Sequence, residues 1–197
     1  MLLLQTMSSA TQSNNTRRGQ KGRKMLGKNF AVDELIEGIK VCLADAARHL
    51  AEEGRMSNRE WTKACLGKLS SLGEDRYGYQ AAPCSRCGEH GWLYDLIWWE
   101  GEDGSMTDLI LALESEWSWS AREVRYDFQK LVQARARIKV LISDALSFEE
   151  CGVLISDINN FKQNENDGVY LFAMYNGDSD KPGQFAFYTK ETLCKKQ

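Results

Sequence analysis

The chain has 197 residues, 43% of them apolar and 10% aromatic, which suits one globular domain with its own core and excludes a disordered or fibrous protein. Its apolar runs fall far short of the roughly 18 residues of a membrane span, and the opening Met1-Leu-Leu-Leu-Gln5 lacks the cationic segment of a secretory signal, so a cytoplasmic protein without membrane contact is expected. The net charge of −3 hides an imbalance: Met1 to Phe30 carry six basic residues and no acid, which leaves the remaining chain at −9.

Residues 1–30, rich in Ser, Thr, Asn, Gln and Gly, bury too little apolar surface to offset their ordering entropy and are expected to form a mobile basic arm. Such an arm can hold phosphates by counterion release, although a merely solvated tail is the simpler reading. Residues 31–197 are expected to form a single domain with its core in 57–143 and an extension in 144–197. Asp33 is placed to cap a helix whose stripe is Leu35, Ile36, Ile39, Leu43, Ala46, Ala47 and Leu50, closed by Gly54. Ser57-Asn-Arg-Glu60 has the form of a capping box and opens a second helix carrying Trp61, Cys65, Leu69 and Leu72, ending at Gly73.

Three strands are predicted next, at Tyr77 to Ala82, Trp92 to Trp99 and Thr107 to Trp117, as an antiparallel meander. Helical spacing returns from Ala121 to Ala136, and Ile138-Lys-Val-Leu-Ile142 reads as a buried strand. A second capping box, Ser147-Phe-Glu-Glu150, opens a helix with Cys151, Leu154, Ile155, Ile158 and Phe161 inward, and strands at Val169 to Tyr175 and Gln184 to Tyr188 follow. The predicted order is a leading helix, then αβββαβ, then αββ.

Acids stand where apolar residues are expected. Asp95 lies within Trp92-Leu-Tyr-Asp-Leu-Ile-Trp-Trp99, and Glu114 and Glu116 end a run that begins Leu109-Ile-Leu-Ala-Leu113. An unpaired carboxylate in such a setting costs several kcal/mol or is driven to neutralise. Glu114 and Glu116, two residues apart, share one face of a strand at a Cα spacing of roughly 7 Å, and Asp95 can approach from the neighbouring strand. Hard oxygen donors of this kind suit Mg2+ or Mn2+. The opposing reading is a hydrated strand end.

The αβββαβ order, with an acid in the second strand and Glu114-Ser-Glu116 at the end of the third, resembles the restriction endonuclease-like PD-(D/E)XK nuclease superfamily over about Ser57 to Ser143. The resemblance implies an α/β fold with a mixed central sheet flanked by helices. It also implies a divalent metal, Mg2+ or Mn2+, where the second and third strands diverge, and metal-dependent hydrolysis of nucleic acid, DNA being the expected substrate. Asp95 matches the strand-two aspartate and Glu114 the first acid of the strand-three motif, while Glu116 takes the position usually held by lysine. Some members supply that lysine from the following helix, where this chain offers Asp127-Phe-Gln-Lys130. Lys130 is therefore a candidate, against the simpler reading of a solvated helix lysine. Glu60 is a candidate metal ligand on the first core helix, and equally a capping-box residue.

Cys84-Ser-Arg-Cys87 with His90 could be half of a zinc site, but structural zinc takes four ligands and the sequence has no second C-x-x-C, so two ordinary thiols are the simpler reading. Core packing is the simpler reading for most of the tryptophans; Trp117 and Trp119, which follow the paired acids, are the two candidates for substrate contact. No helix-turn-helix with a basic second helix is evident. Recognition would then come from loops, from the Cys151 to Gln197 extension, or from a partner subunit, a homodimer included. Two further readings stand beside the nuclease. One is a non-catalytic member of the same fold acting as an interaction or regulatory subunit, for example in a defence system; the other is a glycoside hydrolase, which paired acids on one face of one strand suit poorly.

Overall fold

The computed structural model describes residues 30–54, 57–83, 93–102, 105–118, 120–162, 168–176 and 184–195. The basic arm up to residue 29, the Cys84, Cys87 and His90 group, Trp92 and Trp119 lie outside the described residues. Phe30, assigned to the arm from sequence, is half-buried and sets its ring edge-on to Tyr77 at 4.8 Å.

A six-stranded mixed sheet, its strands in chain order, carries helices on both faces. Helices α1 (Val32–Glu53) and α2 (Asn58–Ser71) precede β1 (Gln80–Ala82), β2 (Leu96–Glu100) and β3 (Asp108–Glu116); α3 (Ala121–Gln133), β4 (Ile138–Asp144), α4 (Phe148–Asn160), β5 (Val169–Asn176), β6 (Gln184–Thr189) and α5 (Lys190–Lys195) follow. β1, β2 and β3 form the expected antiparallel meander, β3, β4 and β5 run parallel, and β6 returns antiparallel. No helix is long and apolar enough to cross a membrane among the described residues.

Alternation along the strands sorts the core into two layers. Leu111 and Leu113 of β3, Val140 and Ile142 of β4, and Leu171 and Ala173 of β5 face Leu35, Ile39 and Leu43 of α1 and Leu69 of α2. Ala112, Leu141 and Phe172 face Val124, Phe128 and Leu131 of α3 and Leu154 and Ile158 of α4. Burying one such Leu or Phe is worth about 1.5–3 kcal/mol, so both layers hold the central strands firmly. β3 is the strand that matters for the site, and its tip projects beyond the last residue that β2 pairs with.

Three expectations need correction, and one element is new. α1 starts at Val32 with Ala31 as its N-cap and no side-chain cap, so Asp33 sits inside the first turn, where its charge suits the helix dipole. Helix does not end at Gly73: Leu72–Tyr77 continue as a π-helical turn, which shortens β1 to Gln80–Ala82. Gly73 serves packing instead, since a Cβ there would lie 2.7 Å from Trp98 Nε1. β2 begins at Leu96, which leaves Asp95 just ahead of the strand. Finally, α5 was not foreseen, although Thr189 and Thr192 bond across its first turn, Thr189 N–H donating to Thr192 Oγ1 at 2.7 Å.

Candidate functional site

The ladder between β2 and β3 ends at Leu96 opposite Leu113, while β3 runs on to Glu116 beside β4. Past that point the backbone of β3 has lost its β2 neighbour, and Asp95 replaces the missing acceptor: Ser115 N–H donates to Asp95 Oδ2 at 2.8 Å. The aspartate is thus fixed beside the departing strand, across from Glu114. Burial pushes its carboxyl pKa up, and the Ser115 hydrogen bond and the Lys130 charge pull the other way.

Glu114 shares the strand face of Ala112 and points into the α3 layer. It is only 1% exposed. The Lys130 ammonium reaches its Oε1 at 2.9 Å and Asp127 Oδ1 at 2.8 Å. The contact with Oε1 lies off the hydrogen-bond directions, so this buried oxygen has a charge beside it but no well-aligned donor. Burial drives the Glu114 pKa up to about 8, with the Asp95 charge adding to the rise and Lys130 opposing it. Burial also works against the Lys130 ammonium, but Asp127 and Glu114 outweigh it and hold the lysine pKa above its ordinary value.

Glu116 accepts Ser118 N–H at 2.7 Å, and its own pKa is raised, first by burial and then by the neighbouring carboxylates of Asp127 and Glu123. Tyr94 completes the surroundings. Its phenol pKa is raised by burial and by the Glu114 charge. Among the described residues, the Lys130 ammonium contacts Glu114 and Asp127 and its charge reaches Asp95, while Glu116 stands against Asp127 and Glu123. Acids crowded in this way repel one another, and perturbed titration of this kind also occurs at functional sites.

The tip of β3 is held from its other face by α2. Trp117 Nε1 donates to Thr62 Oγ1 and to Ser115 Oγ, both at 2.9 Å, and Asn58 Nδ2 donates to the Trp117 carbonyl at 3.2 Å. Trp117 is 5% exposed and packs on Trp61, Tyr175 and Phe185, so the expectation that it touches substrate is corrected: it anchors the strand. An indole can be buried here because its N–H finds two hydroxyls.

Of the residues singled out from sequence, Asp95, Glu114, Glu116 and Lys130 come together. Glu60 does not join them. It is exposed and completes the α2 capping box, accepting Ser57 N–H and Ser57 Oγ–H at 2.7 Å each. From sequence Asp127 is only a helix neighbour of Lys130 and Tyr94 only a member of the second predicted strand; both belong to the surroundings of the site. The signal for Asp127 was its i, i+3 spacing to Lys130. As their side chains are placed, no three His, Cys, Asp or Glu residues gather closely enough to hold a metal among the described residues. Compared with protein-family models, curated proteins and solved structures, the chain matches none of them.

Proposed function

We propose that the chain is a divalent-metal-dependent nuclease with a restriction endonuclease-like PD-(D/E)XK core, acting on nucleic acid and most readily on DNA. The observation that carries this reading is the arrival of Lys130, from the helix after β3, at the buried acid Glu114. It supplies a lysine to a site whose strand position is taken by Glu116. The strand order and directions around β3 are compatible with that core.

The donor types suit a hard cation, which would have to draw the carboxylates closer than their side chains now stand. Asp95 and Glu114 offer carboxylate oxygens, Glu116 can complete the set or bind its water shell, and the buried Glu114 Oε1 has no well-aligned donor of its own. Mg2+ or Mn2+ bound there would polarise a phosphoryl oxygen and lower the pKa of an attacking water. The protein's own part is separate. Ser115 N–H fixes Asp95, and burial keeps Glu114 away from bulk water. Lys130, tethered by Asp127, is placed to hydrogen-bond the water that attacks phosphorus as the bond to the leaving oxygen breaks. Admitting the cation requires the Lys130–Glu114 contact to open, leaving Lys130 on Asp127.

Incubation with linear, circular and single-stranded DNA and with RNA, in Mg2+ or Mn2+, tests the proposal. Cleavage should require the metal and should fall at least about 100-fold in Glu114→Ala, with folding checked by thermal unfolding. Equal cleavage by both proteins would mean a contaminant or another site. The second reading, a non-catalytic member of the fold, is favoured by the same closed Lys130–Glu114 pair taken as a structural ion pair, and metal binding without cleavage of any substrate would select it.

A further inference from the structure

The outer flank of α3 presents Arg122, Tyr126 and Lys130 at successive four-residue steps, so they stand in one row, each about 6 Å from the next along the axis. Lys130 is the end of that row at the carboxylate site. Tyr126 is 69% exposed, and among the described residues it has neither a hydrogen bond nor a ring contact. Arg122 is exposed and pairs with no carboxylate among the described residues. Neither side chain is engaged in holding the fold among the described residues, whereas the neighbouring Arg125 pairs with Asp157 at 2.7 Å.

We propose that this row is a binding track for an unpaired nucleic-acid strand, in which Arg122 holds a phosphate and Tyr126 stacks on a base. The strand is thereby led past Lys130 to the carboxylates. A basic groove with interleaved aromatics is how single strands are held without regard to sequence, because every base has a π-face and every linkage a charge. A duplex keeps its bases stacked inside and can use only Arg122. The acids of the site repel phosphate, so affinity has to come from outside it, and the row supplies a cation and a ring beside those acids. This inference rests on the nuclease reading for its choice of substrate, but it concerns binding and can be tested without cleavage.

The test is fluorescence anisotropy of the full chain with labelled single-stranded and duplex oligonucleotides of equal length, in EDTA across a salt series. Tyr126→Ala should weaken single-strand binding roughly tenfold or more and leave duplex binding nearly unchanged, while Tyr126→Phe restores it. Arg122→Ala should weaken both and lower the slope of log affinity against log salt by about one. Val41→Ser, an equally exposed apolar residue on α1, is the control. Equal loss for both substrates, loss in the control, or unchanged binding in Tyr126→Ala overturns the track, even if Glu114→Ala abolishes cleavage. Selective loss of single-strand binding without cleavage under any condition upholds the track and removes the nuclease reading.

Discussion

β3 carries acids at both ends, and the two ends are built differently. At its start Asp108, opposite Glu100 in the β2–β3 register, forms an ion pair with Arg137, and Arg137 N–H donates to the Leu109 carbonyl at 3.1 Å. The pair is about one-third exposed on each side, so water screens both it and the neighbouring Glu100 charge. At its end, among the described residues, the Lys130 ammonium contacts two of the four neighbouring carboxylates, Glu114 and Asp127, and the pKa values of Asp95, Glu114 and Glu116 are all raised with burial as the leading cause. The same strand thus shows what a settled surface charge looks like and what an unsettled one looks like. A protein keeps the second kind at a cost in stability, and function is the usual reason.

The largest effect should come from Glu114→Gln, which keeps the shape and removes the charge. The folded pKa of about 8 lies above the ordinary 4.5, so the folded state holds this proton more tightly than the unfolded chain does. The stability Glu114 contributes is therefore full below about pH 4.5 and lost as pH rises through 8. Against the wild type, Glu114→Gln should gain nothing near pH 4.5 and roughly 2–4 kcal/mol above pH 8. Urea unfolding at a series of pH values measures the gap, and a gap that does not change with pH would show that the carboxylate is already neutralised by its surroundings.

Lys130→Ala should act in the opposite direction. Removing the one ammonium leaves Glu114 buried against Asp95 and Asp127, at a cost of about 2–3 kcal/mol at pH 8. Because Glu114 can then take up a proton, the loss should shrink toward pH 5. Lys130→Met, which preserves the stem, separates the charge from the packing. A smaller effect is expected from divalent ions. Millimolar Mg2+ should raise the wild-type melting temperature by a few degrees, equivalent to about 1 kcal/mol, and should do nothing for Glu114→Gln. An equal rise in both proteins would place the ion elsewhere.

How much of this contrast was legible in the sequence follows from which forces are local. The acids at the tip of β3 could be read because they end a run, Leu109 to Leu113, that is otherwise apolar. The helix caps at Ser57 and Ser147 were legible because a capping box is set by residues three apart, and both boxes form as read. Gly73 misled, since a glycine that ends a helix and a glycine that lets Trp98 approach look alike without the partner in view. Trp117 misled for the same reason: its role depends on hydroxyls at Thr62 and Ser115, and Thr62 lies 55 residues away in the chain. Lys130 stood between two readings, because the reach of a lysine is settled only by what lies across from it. Tyr126 gave no sequence signal, for it falls outside the apolar stripe of α3 and its exposure beside Lys130 becomes visible only once α3 lies against β3.

The weakest effect should come from the settled end of the strand, and it is the control for all the others. Asp108→Asn breaks the Arg137 pair, but a pair one-third exposed contributes at most about 1 kcal/mol after solvent screening. The loss should fade in high salt, as surface ion pairs do, and should leave the Mg2+ shift untouched. It should also leave Glu114 alone, because Asp108 and Glu114 lie six residues apart at opposite ends of β3 and share no partner. If Asp108→Asn instead changed the pH dependence that Glu114 imposes, the two ends of β3 would be coupled through the strand, and the excess of acids at its tip could no longer be treated as a separate site.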